Sequence, residues 1–128
     1  MIYGIGTDIV EVARIEAALA EFGNDFAERI LADAEHTAFH DSRIKARFLA
    51  KRFAAKEAFS KAMGTGIRGT ITFQNIAITH DAMGKPLLSL SDSIQAILDQ
   101  HHICAAHLSI SDEKNLAAAF VVLETNAP

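Results

Sequence analysis

Apolar residues dominate the run "IYGIGTDIVEV", residues 2–12, in which Ile and Val predict a strand, with Gly4 and Gly6 marking a bulge or a close backbone approach. Asp8 falls in the middle of that strand, a place aspartate disfavours. The period then lengthens: Val12, Ile15, Leu19 and Phe22 recur at the spacing of an amphipathic helix, Gly23 supplies its stop, and Arg14 lies off the apolar stripe. Short helices are expected over Asp25–Leu31 and, after a cap at Asp33, through Phe39. A long helix follows from about Ser42 to Met63, ended by the glycines of "GTGIRG". From Ile71 the period shortens to two. "ITFQNIAITHD" and "LLSLS" predict a hairpin with Gly84 and Pro86 in its connection. A helix over about Ser91–His101 precedes a last pair of strands, "CAAHLSIS" and "LAAAFVVLE", joined by "DEKN".

This order predicts the α+β class: a single small domain, residues 1–128, with a long central helix packed on an antiparallel sheet that the first strand joins. Half of the 128 residues are hydrophobic, enough for a core without staples. Cys104, between Ile103 and Ala105, is the only cysteine and is expected to be a small buried hydrophobe, which fits a reducing compartment. The first ten residues lack the basic and apolar regions of a signal peptide, and no run of about eighteen apolar residues occurs, so a soluble cytoplasmic protein is expected.

Charge changes the picture. The formal net charge is -4, yet residues 43–68 hold eight of the twelve Lys and Arg residues and one acid, Glu57. That layout points to a basic surface or cavity that receives an anion. The long helix is apolar on every side, as helices buried in a core or between subunits are. On it Glu57 and Lys61 lie one turn apart, with the small Ala50, Ala54 and Ala58 beside them. Two readings follow: an ordinary i,i+4 pair, or a carboxylate that holds a divalent cation while lysines hold phosphates. A second carboxylate is then needed, and Asp8 leads, with Glu11 as its substitute. His36, His40, His80, His101 and His102 show no metal-ligand spacing and are expected at the surface.

"GIGTDIVEVARIE", "RFLAKRFAAKEAFSKAMGTGI", "GKPLLSL" and "HLSISDEKNLAAAFVVLE" together resemble the bacterial holo-acyl-carrier-protein synthases over essentially the whole chain. The resemblance implies a 4'-phosphopantetheinyl transferase that moves the phosphopantetheine arm of coenzyme A to a serine of apo acyl carrier protein. It also implies Mg²⁺, a homotrimer with active sites at subunit interfaces, and a place in fatty acid biosynthesis. By position, Asp8 and Glu57 would be the metal ligands, and Lys61 would contact the coenzyme A phosphates. His107 would be contributed across the interface, and a structural histidine on a sheet face is its other reading. Gly64 and Gly66 suit one cofactor-facing loop, and Gly84, Lys85 and Pro86 a second; both sets could equally be ordinary turns. Arg14 matches a position that contacts the acidic carrier protein. Many relatives have histidine where this chain has Asp112, so that position offers no base here.

Glu57, directly or through a metal-bound water, is the preferred acceptor of the serine proton, with a water activated through Asp8 as the alternative. Lys45, Arg47, Lys51 and Arg52 would divide between carrier docking and the 3'-phosphate. Two other classes compete: a nucleic-acid-binding domain using residues 43–68 as a basic helix, and a coenzyme A binder without catalysis.

Overall fold

The computed structural model describes residues 1–126, and they form an α+β fold. Strand β1 (Ile2–Glu11) leads into helix α1 (Val12–Phe22), α2 (Asn24–Ile30), a 3-10 turn at Asp33–Glu35, α3 (His36–Asp41) and the 19-residue α4 (Lys45–Met63). A second 3-10 turn at Phe73–Asn75 precedes β2 (Ile76–His80) and β3 (Pro86–Leu90), then α5 (Asp92–Gln100), β4 (Ile103–Asp112) and β5 (Leu116–Thr125). The antiparallel sheet runs β1-β5-β4, so the first strand does join the last hairpin. The β2–β3 hairpin forms its own two-stranded sheet.

Helix α4 lies across the inner face of the larger sheet, and two glycines set how closely. A Cβ added at Gly6 would stand 2.0 Å from the Ala58 carbonyl oxygen, and one at Gly4 would stand 2.0 Å from that of Ala62. Helix backbone therefore rests on strand backbone, with no room for a side chain between them. Ala54, Ala55, Ala58 and Ala62 are all buried, which gives the helix side of the contact the same lack of bulk. The bulge expected near these glycines is also present, as a register shift between Ile2 and Gly4.

Several expectations need correction. The apolar circumference of α4 is covered within the chain, by the sheet on one side and by α1, α2, α3 and the β2 region on the others, so it calls for no partner subunit. The unpartnered apolar surface is instead the outer face of the β1-β5-β4 sheet, where Ile5 (58% exposed), Ile9 (65%) and Phe120 (44%) face solvent. Cys104 is exposed: the register of β4 shifts between Ile103 and Ala105, leaving Cys104 as the extra residue, its Sγ 3.6 Å from the Glu124 carbonyl. Asp33 does not cap its turn; Ala32 precedes it, and the carboxylate of Glu35 accepts the Ala32 N–H at 2.8 Å. Only the second half of "ITFQNIAITHD" pairs as a strand, because Thr72 Oγ1 accepts the Asn75 N–H and closes the first half into a turn. His40, His80, His101 and His102 are exposed as expected, while His36 is half-buried.

Candidate active site

Pairing with β5 puts Asp8 opposite Ala119, on the inner face of an edge strand, three residues from the outward-pointing Glu11. The glycine contact brings the last third of α4 beside that strand. Lys61 reaches across, and its Nζ donates to the Thr7 carbonyl at 3.0 Å and to Asp8 Oδ1 at 3.0 Å. Asp8 is 15% exposed and Lys61 50%, so the ammonium closes the outer side of a carboxylate that is mostly withdrawn from water. Glu57, one turn before Lys61, is half-buried. Burial raises its pKa above the ordinary carboxylate value, the charge of Asp8 raises it further, and Lys61 partly offsets both.

Two carboxylates thus repel each other across a space that one ammonium only partly neutralises. That donor set suits a hard divalent cation, which takes one or two carboxylates and completes its shell with phosphate oxygens and water. Among the described residues no group of three or more His, Cys, Asp and Glu side chains is placed to hold a metal ion, so Asp8 and Glu57 stand as a pair without a third such side chain. Glu11, at the strand end and facing outward, is not part of it.

The turn after α4 continues the site. Gly64, with φ 80°, ends the helix in a left-handed conformation, and Gly66, with φ 68°, repeats it. Their N–H groups donate to the Lys61 and Ser60 carbonyls, which folds the chain back immediately beyond Lys61.

Other expected site residues lie elsewhere in the chain. His107 pairs opposite Val122, three residues from the Asp8 row on β5, and so projects from the opposite face of the sheet, where it meets Glu124. Gly84 and Pro86 line a separate pocket with Phe48, Lys51, Arg52, His80 and Asp112. Lys51 and Lys61 are roughly 15 Å apart along the helix axis. Lys85 is exposed at the hairpin tip, where its N–H donates to Asp81. Arg14 is exposed on α1.

The basic segment is less available than its sequence implies. Lys56 is 0% exposed, and its Nζ donates to Glu35 Oε1 at 2.6 Å, the Ile30 carbonyl at 2.6 Å and the Phe73 carbonyl at 3.0 Å. Arg52, also buried, stands 2.9 Å from Glu35 Oε2 through Nε, off the line a hydrogen bond from that N–H would need, and stacks on Phe48 at 4.0 Å. Lys45 donates to the His40 and Ser42 carbonyls, and Arg47 faces Asp112 at 3.8 Å. Arg52 and Lys56 are thus committed to holding the fold, which takes two of the segment's eight cations away from any phosphate-tracking surface. Glu35, the hub of this network, carries no sequence signal beyond an acid two residues after Asp33.

The profile of the 4'-phosphopantetheinyl transferase superfamily matches residues 4–121. A holo-[acyl-carrier-protein] synthase from Vibrio cholerae is 56% identical over 124 residues, 97% of this chain and 98% of that one. The crystal structure of the holo-[acyl-carrier-protein] synthase from Neisseria meningitidis superposes with a TM-score of 0.95 at 50% identity, covering 98% of this chain and 100% of that one. The Bacillus anthracis holo-(acyl-carrier-protein) synthase, solved in complex with CoA (3',5'-ADP), gives 0.82 at 42% identity, covering 98% and 99%.

Proposed function

The chain belongs to the 4'-phosphopantetheinyl transferase superfamily, and from that premise we propose that it transfers the 4'-phosphopantetheine moiety of coenzyme A to a serine of apo acyl carrier protein, releasing adenosine 3',5'-bisphosphate. The observation that carries this reading is the meeting of Asp8, Glu57 and Lys61 at the edge of β1, in a chain similar to such synthases over nearly its whole length. On this reading residues 1–128 act as one domain in the cytoplasm, supplying holo carrier protein for fatty acid biosynthesis. Among the described residues no helix is long and apolar enough to cross a membrane.

Asp8 and Glu57 would hold Mg²⁺, which when bound neutralises and orients the pyrophosphate of coenzyme A. Lys61, already turned toward Asp8, places its positive charge where the β-phosphate gains charge during in-line attack. Glu57 takes the proton of the attacking serine, directly or through a water. Gly64 and Gly66, both at positive φ, let the backbone of the loop after α4 approach the cofactor. Arg14 meets an acidic carrier protein from the open side of α1.

His107, Lys85 and Pro86 enter the active site from a neighbouring copy in a homotrimer. Two features support this: these residues lie away from Asp8 within one chain, and the outer sheet face leaves Ile5, Ile9 and Phe120 exposed. A contiguous apolar face of this kind marks an association surface. Phe120→Asp, at the centre of that face, is expected to shift the sedimentation of the protein from trimer to monomer; a variant that sediments as wild type would remove this face from the interface.

Intact-mass spectrometry tests the activity. Apo acyl carrier protein incubated with this protein, coenzyme A and Mg²⁺ is expected to gain one phosphopantetheine group, and to gain none when the metal is chelated. Cofactor binding without that gain, across several carrier proteins, would leave a coenzyme A binder and reject the transferase.

A further inference from the structure

Between α1 and the N-terminal turn of α4 runs a groove of about 620 Å³, floored by Val12, Leu19 and Phe39 with the exposed Ile44 at its edge. It lies away from the carboxylate corner and on a different side of α1 from Arg14, since Leu19 and Ala20 sit about 120° or more from Arg14 around the helix. The part of α1 that lines it, from Val12 to Gly23, is roughly 16 Å long.

Its rim is cationic. Arg43, Arg47 and Lys114 border the groove against one acid, Glu16. Neither Arg43 nor Lys114 makes an ion pair among the described residues, and Arg47 reaches Asp112 only at 3.8 Å, beyond the length of a good charge-assisted hydrogen bond. Lys45 is turned away to the His40 and Ser42 carbonyls. An apolar floor under an excess of poorly paired cations is complementary to a molecule with an apolar body and an anionic end. The volume falls in the range of small-molecule sites, about 300–1,000 Å³.

We propose that this groove binds a single-chain anionic amphiphile, its tail along α1 and its head group paired with the rim cations. The site stands apart from the transferase reading, which neither supports nor requires it.

Titration of the isotope-labelled protein with sodium dodecanoate below its micelle concentration tests the proposal by NMR. Saturable shifts are expected at Leu19, Ala20, Gly23, Ile44 and Ala46, with the cationic dodecyltrimethylammonium producing none there. Ala20→Phe, which fills the groove, and Lys114→Glu, on an exposed turn remote from the core, are each expected to weaken dodecanoate binding about tenfold. Melting curves show that each variant is folded. Lys114→Glu serves alone if the bulkier change at position 20 disturbs packing. Shifts centred on the outer sheet face around Ile5 and Phe120, equal binding of the cationic amphiphile, affinity unchanged in the folded variants, or no saturable binding would each overturn it.

Discussion

Glu57→Gln is expected to lower phosphopantetheine transfer by about 10²–10⁴-fold, the range for loss of a group that moves a proton in the transition state. The loss should appear in kcat at saturating coenzyme A and Mg²⁺. The fold should survive, because Glu57 is half-buried and enters no salt bridge among the described residues. Its thermal midpoint should be equal to or above that of the wild type, since the substitution removes a carboxylate that both burial and Asp8 disfavour. Asp8→Asn separates the two roles. The amide oxygen can still accept from Lys61, but the metal loses an anionic ligand, so the Mg²⁺ concentration for half-maximal activity should rise and excess metal should restore part of the rate. Wild-type turnover by Glu57→Gln would remove that residue from both the metal and the proton-transfer roles, and an unchanged Mg²⁺ requirement in Asp8→Asn would remove Asp8 from the metal.

Much of this corner is legible in sequence because the residues involved are out of place. Asp8 stands in a strand, Gly4 and Gly6 interrupt a run of Ile and Val, and Glu57 is the one acid in a basic segment. Each oddity has a separate physical cause, and the structure joins them: the glycines admit the α4 backbone, and this proximity brings Lys61 to Asp8. What sequence hides is the partner of each charge. Lys51 and Arg52 are adjacent, similar on paper and line the same pocket, yet Lys51 is only half-buried while Arg52 is withdrawn to Glu35. Helical periodicity assigns a residue to a direction around the axis, but which direction is solvent depends on what packs there, and the elements covering Arg52 and Lys56 come from residues 30–35 and 73–78. Cys104 is misplaced for a related reason, because a one-residue register shift reverses the face to which a side chain belongs. His107 is legible as a strand residue, but its opposition to Asp8 emerges only from the register of three strands.

The same hidden network yields the largest stability effect. Glu35 is 2% exposed and faces two cations while accepting the Ala32 and Ile78 N–H groups. Glu35→Ala strands Lys56 and Arg52 in a dry interior and unpairs both amides. Breaking a buried ion pair from one side costs about 3–5 kcal/mol. Against a total stability of about 5–15 kcal/mol, the variant should unfold at far lower urea than wild type, or fail to fold at 37 °C. Glu35→Gln keeps the shape and removes only the charge, so it isolates the electrostatic part. Burial already lowers the Lys56 pKa to about 8 despite the upward pull of Glu35. Without that carboxylate it must fall further. The sign then follows: at any pH between a depressed folded value and the unfolded value near 10.5, the unfolded chain binds the extra proton, and stability rises with pH. Wild type gains stability this way only above about 8, whereas Glu35→Gln starts gaining at lower pH. Its deficit should therefore narrow as pH is raised toward 8, measured by urea denaturation at a series of pH values. Lys56→Met placed in the Glu35→Gln background should recover part of the loss, because no ammonium then remains to be desolvated, with a coupling of about 0.5–3 kcal/mol. A deficit that is constant with pH and additive with Lys56→Met would mean that Glu35 acts through packing alone, and that Lys56 does not depend on its charge.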